Sequence, residues 1–204
     1  MGSGQLFQGV YSADKYQSGN PIARAMVNHF LASVSDFARR TGASRVHEIG
    51  CGEGQICGIL ANQGFTVRGC DLSEASLAVA RSEVERSNLN IELKCASIYE
   101  LDPAIDAEEL IICCEVLEHL EEPDKALQKL RQIAKPYLIV SVPNEPLWRI
   151  LNMARGKYLR DFGNTPDHIQ HWSRGAFIRL VEQYADVLAV KNPIPWTVLL
   201  CKVR

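Results

Sequence analysis

Residues 47–55 read HEIGCGEGQ, and this stretch constrains the fold more than any other. An apolar run, 44–50, ends on Gly50; glycines follow at 50, 52 and 54, and a helical pattern begins at once. A strand that gives way to a helix through alternate glycines is a tight turn open to a ligand, because no Cβ bars close approach to the backbone. The next apolar run, 65–72, ends on Asp71, about 20 residues on, where an acid meets ribose hydroxyls in nucleoside-binding βαβ units. Two features in that order and register point to a nucleoside site.

The rest of the chain repeats the alternation. A helix over 54–64 ends at Gly64, and Ser73 caps another that places Leu77, Ala80 and Val84 on one face. Strands are predicted over 91–96, 108–116 and 136–143, with a helix over 123–135 between the last two. An irregular stretch over 144–172, a helix over 173–185 and strand-like runs over 186–191 and 196–203 follow, and a helix over 17–40 precedes all of this. Regular alternation predicts a doubly wound α/β fold with a mostly parallel sheet. Ligands in such folds bind beyond the C-terminal ends of the strands. The 204 residues suit one domain, 1–204, with an N-terminal cap region over 1–40 and an acceptor-site lid over 144–172.

Composition narrows the function classes. The net charge of −2 offers no global basic field for nucleic acid, which makes RNA the less favoured partner without removing it. The longest apolar run, ELIICCEVL, is too short for a membrane span. Residues 1–5 read as a start and a cloning scar, with neither a signal peptide nor a myristoylation pattern, and the expected location is the cytoplasm. Seven cysteines without a CxxC pair predict buried free thiols rather than disulfides or a zinc site. Oligomeric state is not legible.

The glycine spacing chooses among nucleosides. Gln55 stands where GxGxxG needs its third glycine, and no GxxxxGK[ST] run exists. The run from Glu48 to Gly54, E-x-G-x-G-x-G, resembles motif I of the class I S-adenosylmethionine-dependent methyltransferases. GCDLS, CASIYEL, CCEVLEHLEEP, YLIVSVPNEP and HIQHWSRGAF extend the resemblance over nearly the whole chain, toward the generic type 11 and ubiquinone-biosynthesis O-methyltransferase-like group. It implies a Rossmann-like sheet of seven strands, the last antiparallel, with S-adenosylmethionine as cofactor. Gly50, Cys51 and Gly52 would pass the methionine moiety, with Glu48 ordering that loop. Asp71 would take the ribose hydroxyls, Leu72 and Ile98 would flank the adenine, and Ser97 would meet its edge. Cys114 and Glu115 would lie near the sulfonium, and Arg24, in NPIAR, stands one residue beyond the position of a cofactor-carboxylate arginine in the ubiquinone group.

The acceptor side is more open. The 144–172 stretch interleaves Trp148, Met153, Tyr158, Phe162 and Trp172 with Arg149, Arg155, Lys157 and Arg160. It reads as an apolar lid over a small-molecule acceptor or as an amphipathic helix over 146–155, with a hinge at GNTPDH. His29 and His47 read as structural, whereas His119, His168 and His171 fall in strand-end loops and are candidate bases. If the chain turns helically after the fourth strand, Glu115, Glu118 and His119 project to one side. With His168 they resemble the Glu-x-x-Glu-His segment and later histidine of small-RNA 3′-terminal 2′-O-methyltransferases, which implies a divalent metal. The metal-free reading is preferred: methyl transfer from the cofactor to a hydroxyl of a small metabolite. A non-catalytic cofactor- or partner-binding domain is the rival from another class.

Overall fold

The computed structural model describes residues 21–154 and 168–204. In chain order the elements are α1 (Pro21–Thr41), β1 (Arg45–Ile49), α2 (Gln55–Asn62), β2 (Thr66–Asp71), α3 (Glu74–Arg86), β3 (Ile91–Cys95) and α4 (Pro103–Asp106). They continue with β4 (Glu108–Cys114), α5 (Pro123–Ile133), β5 (Ala134–Pro143), α6 (Glu145–Ala154), α7 (Arg174–Val181), β6 (Ala185–Lys191) and β7 (Trp196–Val203). Short 3₁₀ turns occupy Ile98–Glu100 and Leu117–His119.

The seven strands form one sheet in the order β3-β2-β1-β4-β5-β7-β6. Strands β1 to β5 pair in parallel, and β7 runs antiparallel to both β5 and β6, as predicted. The chain winds outward from β1 to β3 and returns to place β4 on the other side of β1. Strand order therefore switches between β1 and β4, and a crevice opens beyond their C-terminal ends.

Strand periodicity splits the core between the two faces of the sheet. On β4, Leu110, Ile112 and Cys114 join Phe30, Val34 and Leu60 on one face. Ile111 and Cys113 face the other way, toward Leu127, Leu130 and Phe177. Helix α5 shows why such segments fold as they do. Pro123 sits in its first turn, where a missing N–H costs nothing, and Ala126, Leu127, Leu130 and Ile133 form one buried stripe. Ser73 caps α3 by accepting from the Ser76 amide, as predicted.

Several boundaries differ from the sequence reading. Strand β5 begins at Ala134, because the segment after Ile133 is drawn into the sheet beside Glu108. Helix α7 stops at Val181, four residues early, since Ala185 pairs with Val203 at the start of β6. The first part of the 144–172 stretch is the helix α6. The thiols are free, but Cys95 is exposed at the end of β3, against the expectation of burial, because edge strand β3 leaves one face open. Residues 17–20 of the predicted N-terminal helix lie outside the described residues.

Candidate active site

The glycine turn is built by steric exclusion. Gly50 has φ +75°, and a Cβ there would lie 2.3 Å from Cγ2 of Val116. Only glycine meets both the left-handed backbone and that approach. The amides of Gly50 and Cys51 both donate to the carbonyl of Cys70, at 2.7 and 2.9 Å, so the turn is pinned to the end of β2. Asp71 secures the same junction: its Oδ2 accepts from the Gly52 amide and its Oδ1 from the Ser73 amide, each at 2.8 Å.

Beneath the turn, Glu48 is buried, and its Oε2 accepts from the Cys57 amide at 2.9 Å. Burial pushes its carboxyl up to about 8; hydrogen bonds from Cys57 oppose the rise, and the charge of Asp71 adds to it. Near neutral pH the group is held mainly protonated. Burial also raises the thiols of Cys113 and Cys114, so neither is a poised thiolate.

A cleft of about 450 Å³ runs over this turn from the end of β2 to the end of β4. Its two ends are chemically distinct. At one end Leu72, 74% exposed, projects its apolar side chain beside Ile98 and Tyr99, and Ser97 lies between, its Oγ accepting from the Tyr99 amide at 3.3 Å. An exposed leucine on the same cleft wall as a buried isoleucine and an exposed tyrosine offers apolar surface to a flat ring. At the other end lie Cys114, Glu115 and His119, and Phe30 and Leu31 of α1 also line the cleft. Arg24 is exposed on α1 and is not among the residues lining the cleft.

Glu115 has φ +58°, a left-handed conformation that is uncommon for a residue with a side chain. The turn aims its carboxylate at β5 and β7: Oε2 accepts from Trp196 Nε1 at 2.6 Å, and Oε1 from Ser141 Oγ at 3.1 Å. This corrects the expected helical set. The 3₁₀ turn starts only at Leu117, so Glu115 does not share a face with Glu118 and His119.

The other three expected metal-side groups do meet. Donor atoms of Glu118, His119 and His168 all lie within 4.8 Å of one another. Glu118 and His168 are buried, at 1% and 2% exposure. The backbone of the 168–170 segment brings His168 there. Amides of Ile169 and Gln170 both donate to the Glu118 carbonyl at 3.0 Å, and Gln170 Nε2 donates to the Leu120 carbonyl at 3.1 Å. The His168 ring stands edge-on to His119, 5.0 Å between centroids, and stacks on Trp148 at 5.9 Å.

Glu145 was not singled out by the sequence reading. It is 4% exposed, and its Oε1 lies 2.9 Å from His168 Nδ1 and 3.4 Å from His171 Nδ1. Burial raises its carboxyl, but the hydrogen bond from His168 and the charges of His171 and His168 outweigh that and leave it below the usual carboxylate range. Of the three candidate bases, His119 lines the cleft, His168 lies buried behind it, and His171 is exposed. His47 is buried with Nδ1 3.0 Å from the Asp106 carbonyl, and burial lowers its pKa, in keeping with a structural role. His29 is exposed on α1. Arg155, Lys157, Tyr158, Arg160, Phe162, the 163–167 part of the predicted hinge, and the side chain of Arg149 lie outside the described residues.

Residues 47–140 match a family described as methyltransferase domain. The ubiquinone biosynthesis O-methyltransferase of Coxiella burnetii is 27% identical over 152 residues, covering 67% of this chain and 64% of that protein. The chain thus spans slightly less than two thirds of that relative. Among solved structures, magnesium protoporphyrin IX methyltransferase from Synechocystis PCC 6803 with bound SAH superposes with a TM-score of 0.73 at 18% identity, covering 91% of this chain and 88% of that one. The small RNA methyltransferase HEN1 superposes with a TM-score of 0.71 at 22% identity, covering 87% of this chain and 25% of that one. Both likenesses are of fold.

Proposed function

We propose that the chain carries a class I S-adenosylmethionine-dependent methyltransferase domain and transfers the cofactor's methyl group in line to a hydroxyl of a small metabolite. The observation that carries this reading is the cleft itself. It joins the glycine turn and Asp71 to an apolar surface at one end and to Cys114, Glu115 and His119 at the other. The methionine moiety would lie along Gly50, Cys51 and Gly52, ordered from below by Glu48. Asp71 would meet the ribose, Leu72 and Ile98 the adenine faces, and Ser97 its edge. Cys114 and Glu115 would then flank the sulfonium, where a fixed carboxylate is complementary to its positive charge.

A sulfonium methyl is already an activated electrophile. The protein's tasks are to align the acceptor at near-attack distance and to exclude water. Phe30 and Leu31 are placed for the second task. A hydroxyl acceptor must lose its proton, and His119, on the cleft wall, is the candidate base. The O-methyl assignment draws support from the named activity of the Coxiella relative.

The cluster of Glu118, His119 and His168 favours a second reading, in which the transfer is metal-assisted. One carboxylate and two imidazoles suit a divalent first-row ion better than an all-oxygen site would. The pairing of His168 Nδ1 with Glu145 leaves its other nitrogen for coordination. A divalent cation held there would stabilise an acceptor oxygen as its proton leaves.

Transfer of tritiated methyl from the cofactor tests these readings. Label entering a metabolite extract supports the first, and label entering short RNA instead would replace the acceptor class. Label in neither would overturn the enzyme reading in favour of a non-catalytic binding domain. Unchanged turnover after EDTA treatment would remove the metal.

A further inference from the structure

We propose that Glu145 is the positioning residue of the site: its carboxylate holds His168 as the Nδ1–H tautomer and so presents Nε2 to Glu118 and His119. The inference deepens the metal-assisted reading and rests on it for the ligand role of the ring, but not for the tautomer.

Three observations carry it. First, Oε1 of Glu145 lies within reach of Nδ1 of both His168 and His171, at 2.9 and 3.4 Å. One carboxylate oxygen approached by two ring nitrogens is placed as an acceptor, so the shared proton belongs to the nitrogens. In a neutral imidazole, a proton on Nδ1 leaves a lone pair on Nε2. Second, the ring has little rotational freedom. Trp148 stacks on it at an interplanar angle of 25°, and His119 meets it at 79°. Glu145 and Trp148 sit three apart on α6, so one helical face supplies both the hydrogen-bond acceptor and the stacking plane. Third, Glu145 is itself held. Its amide donates to the Trp172 carbonyl at 3.2 Å, and the preceding amide, of Asn144, donates to the Pro195 carbonyl at 2.8 Å. The start of α6 is thereby fixed both to the segment that carries the histidines and to the turn before β7.

Nothing in the sequence near Glu145 announces this role. It is the first residue of a helix, where an acid is ordinarily a favourable partner of the helix dipole. Here the side chain is buried against the histidine segment instead.

Two readouts test the proposal. Long-range ¹⁵N–¹H correlation spectra of the metal-free protein report the tautomer of His168, and titration with Mn²⁺ alone reports affinity. The wild-type ring is expected to show the Nδ1–H pattern. Glu145→Ala is expected to lose that pattern and to weaken Mn²⁺ binding by about 10- to 100-fold. Glu145→Gln keeps an acceptor oxygen and should retain the tautomer with a smaller loss of affinity. A wild-type His168 in the Nε2–H form, or a Glu145→Ala spectrum unchanged from wild type, would overturn the proposal. Should Glu145→Ala fail to fold, the wild-type spectrum and Glu145→Gln decide. Absence of Mn²⁺ binding by the wild-type protein would overturn the metal reading alone, since the tautomer measurement stands without it.

Discussion

At the glycine end of the cleft, Glu48, Gly50, Cys51, Gly52 and Asp71 come from one βαβ unit, and glycine-turn amides bonded to the Cys70 carbonyl and the Asp71 carboxylate hold them together. Behind the other end, Glu118, Glu145 and His168 come from three segments: sheet order sets β4 beside β5, and the Ile169 and Gln170 amides, bonded to the Glu118 carbonyl, bring in the third. The first end is shaped by backbone, the second by side chains. A backbone-shaped site tolerates few substitutions at its turn, and the one proton at issue there, on Glu48, lies beneath the turn. A side-chain site can lose one member and keep its fold, while its chemistry changes.

Three substitutions probe that contrast, beginning with the largest effect. Gly50→Ala places a methyl against Val116 in a left-handed backbone. The protein should lose about 2–4 kcal/mol of stability, and cofactor affinity should fall by about tenfold or more. Thermal melts and calorimetric titration with S-adenosylhomocysteine measure both. A variant that melts and binds as wild type does would show that the turn is not sterically defined.

His119→Ala acts on the other end. The side chain is partly exposed, so folding should survive, while turnover falls about 10- to 100-fold and cofactor affinity stays within about twofold. Separate measurement of kcat and of cofactor affinity checks this. If the two fell together, the ends would not be separable and the comparison would break.

Glu48→Gln acts on how stability depends on pH. The folded carboxyl is raised to about 8 from an ordinary 4.5. The folded state therefore holds a proton that the unfolded chain releases. Stability tied to that proton is fully present below pH 4.5 and is lost as pH rises to about 8. Glutamine keeps an acceptor for the Cys57 amide and has no proton to lose. Melting temperatures across this range should fall less steeply for the variant, leaving it the more stable protein by several degrees at pH 8. Parallel curves for the two proteins would mean that Glu48 is not held protonated.

Legibility followed the same division. The glycine turn and Asp71 stand out by their spacing, and Leu72, Ser97 and Ile98 by the family resemblance; the structure brings all of them to one cleft. Strand ends and alternate glycines mark the turn in the chain, although Cys70, Asp71 and Val116 from later segments hold it. Glu118, His119 and His168 were named as a set, but Glu115 was grouped with them on the assumption of a continuous helix. The left-handed residue at Glu115 breaks that assumption, and no composition signal marks it, since glycine or asparagine is the usual occupant of such a conformation. Trp196, which binds the Glu115 carboxylate, and Glu145 were not singled out as site residues, because each acts through a partner far along the chain. Arg24, one residue beyond the position that its resemblance implied, lies off the cleft wall.

By itself the sequence determined the alternation of strand and helix, the mostly parallel sheet that this alternation dictates, and the glycine turn at Gly50; the reversed last strand was implied only by the family resemblance. The first three depend on the burial period of each element and on the absence of a Cβ, which are properties of short stretches of chain. Only the tertiary structure decided which way Glu115 faces, that His168 stands between Trp148 and His119, and that Glu145 holds its ring. Those contacts depend on strand order and on one left-handed backbone angle, and spacing along a chain encodes neither.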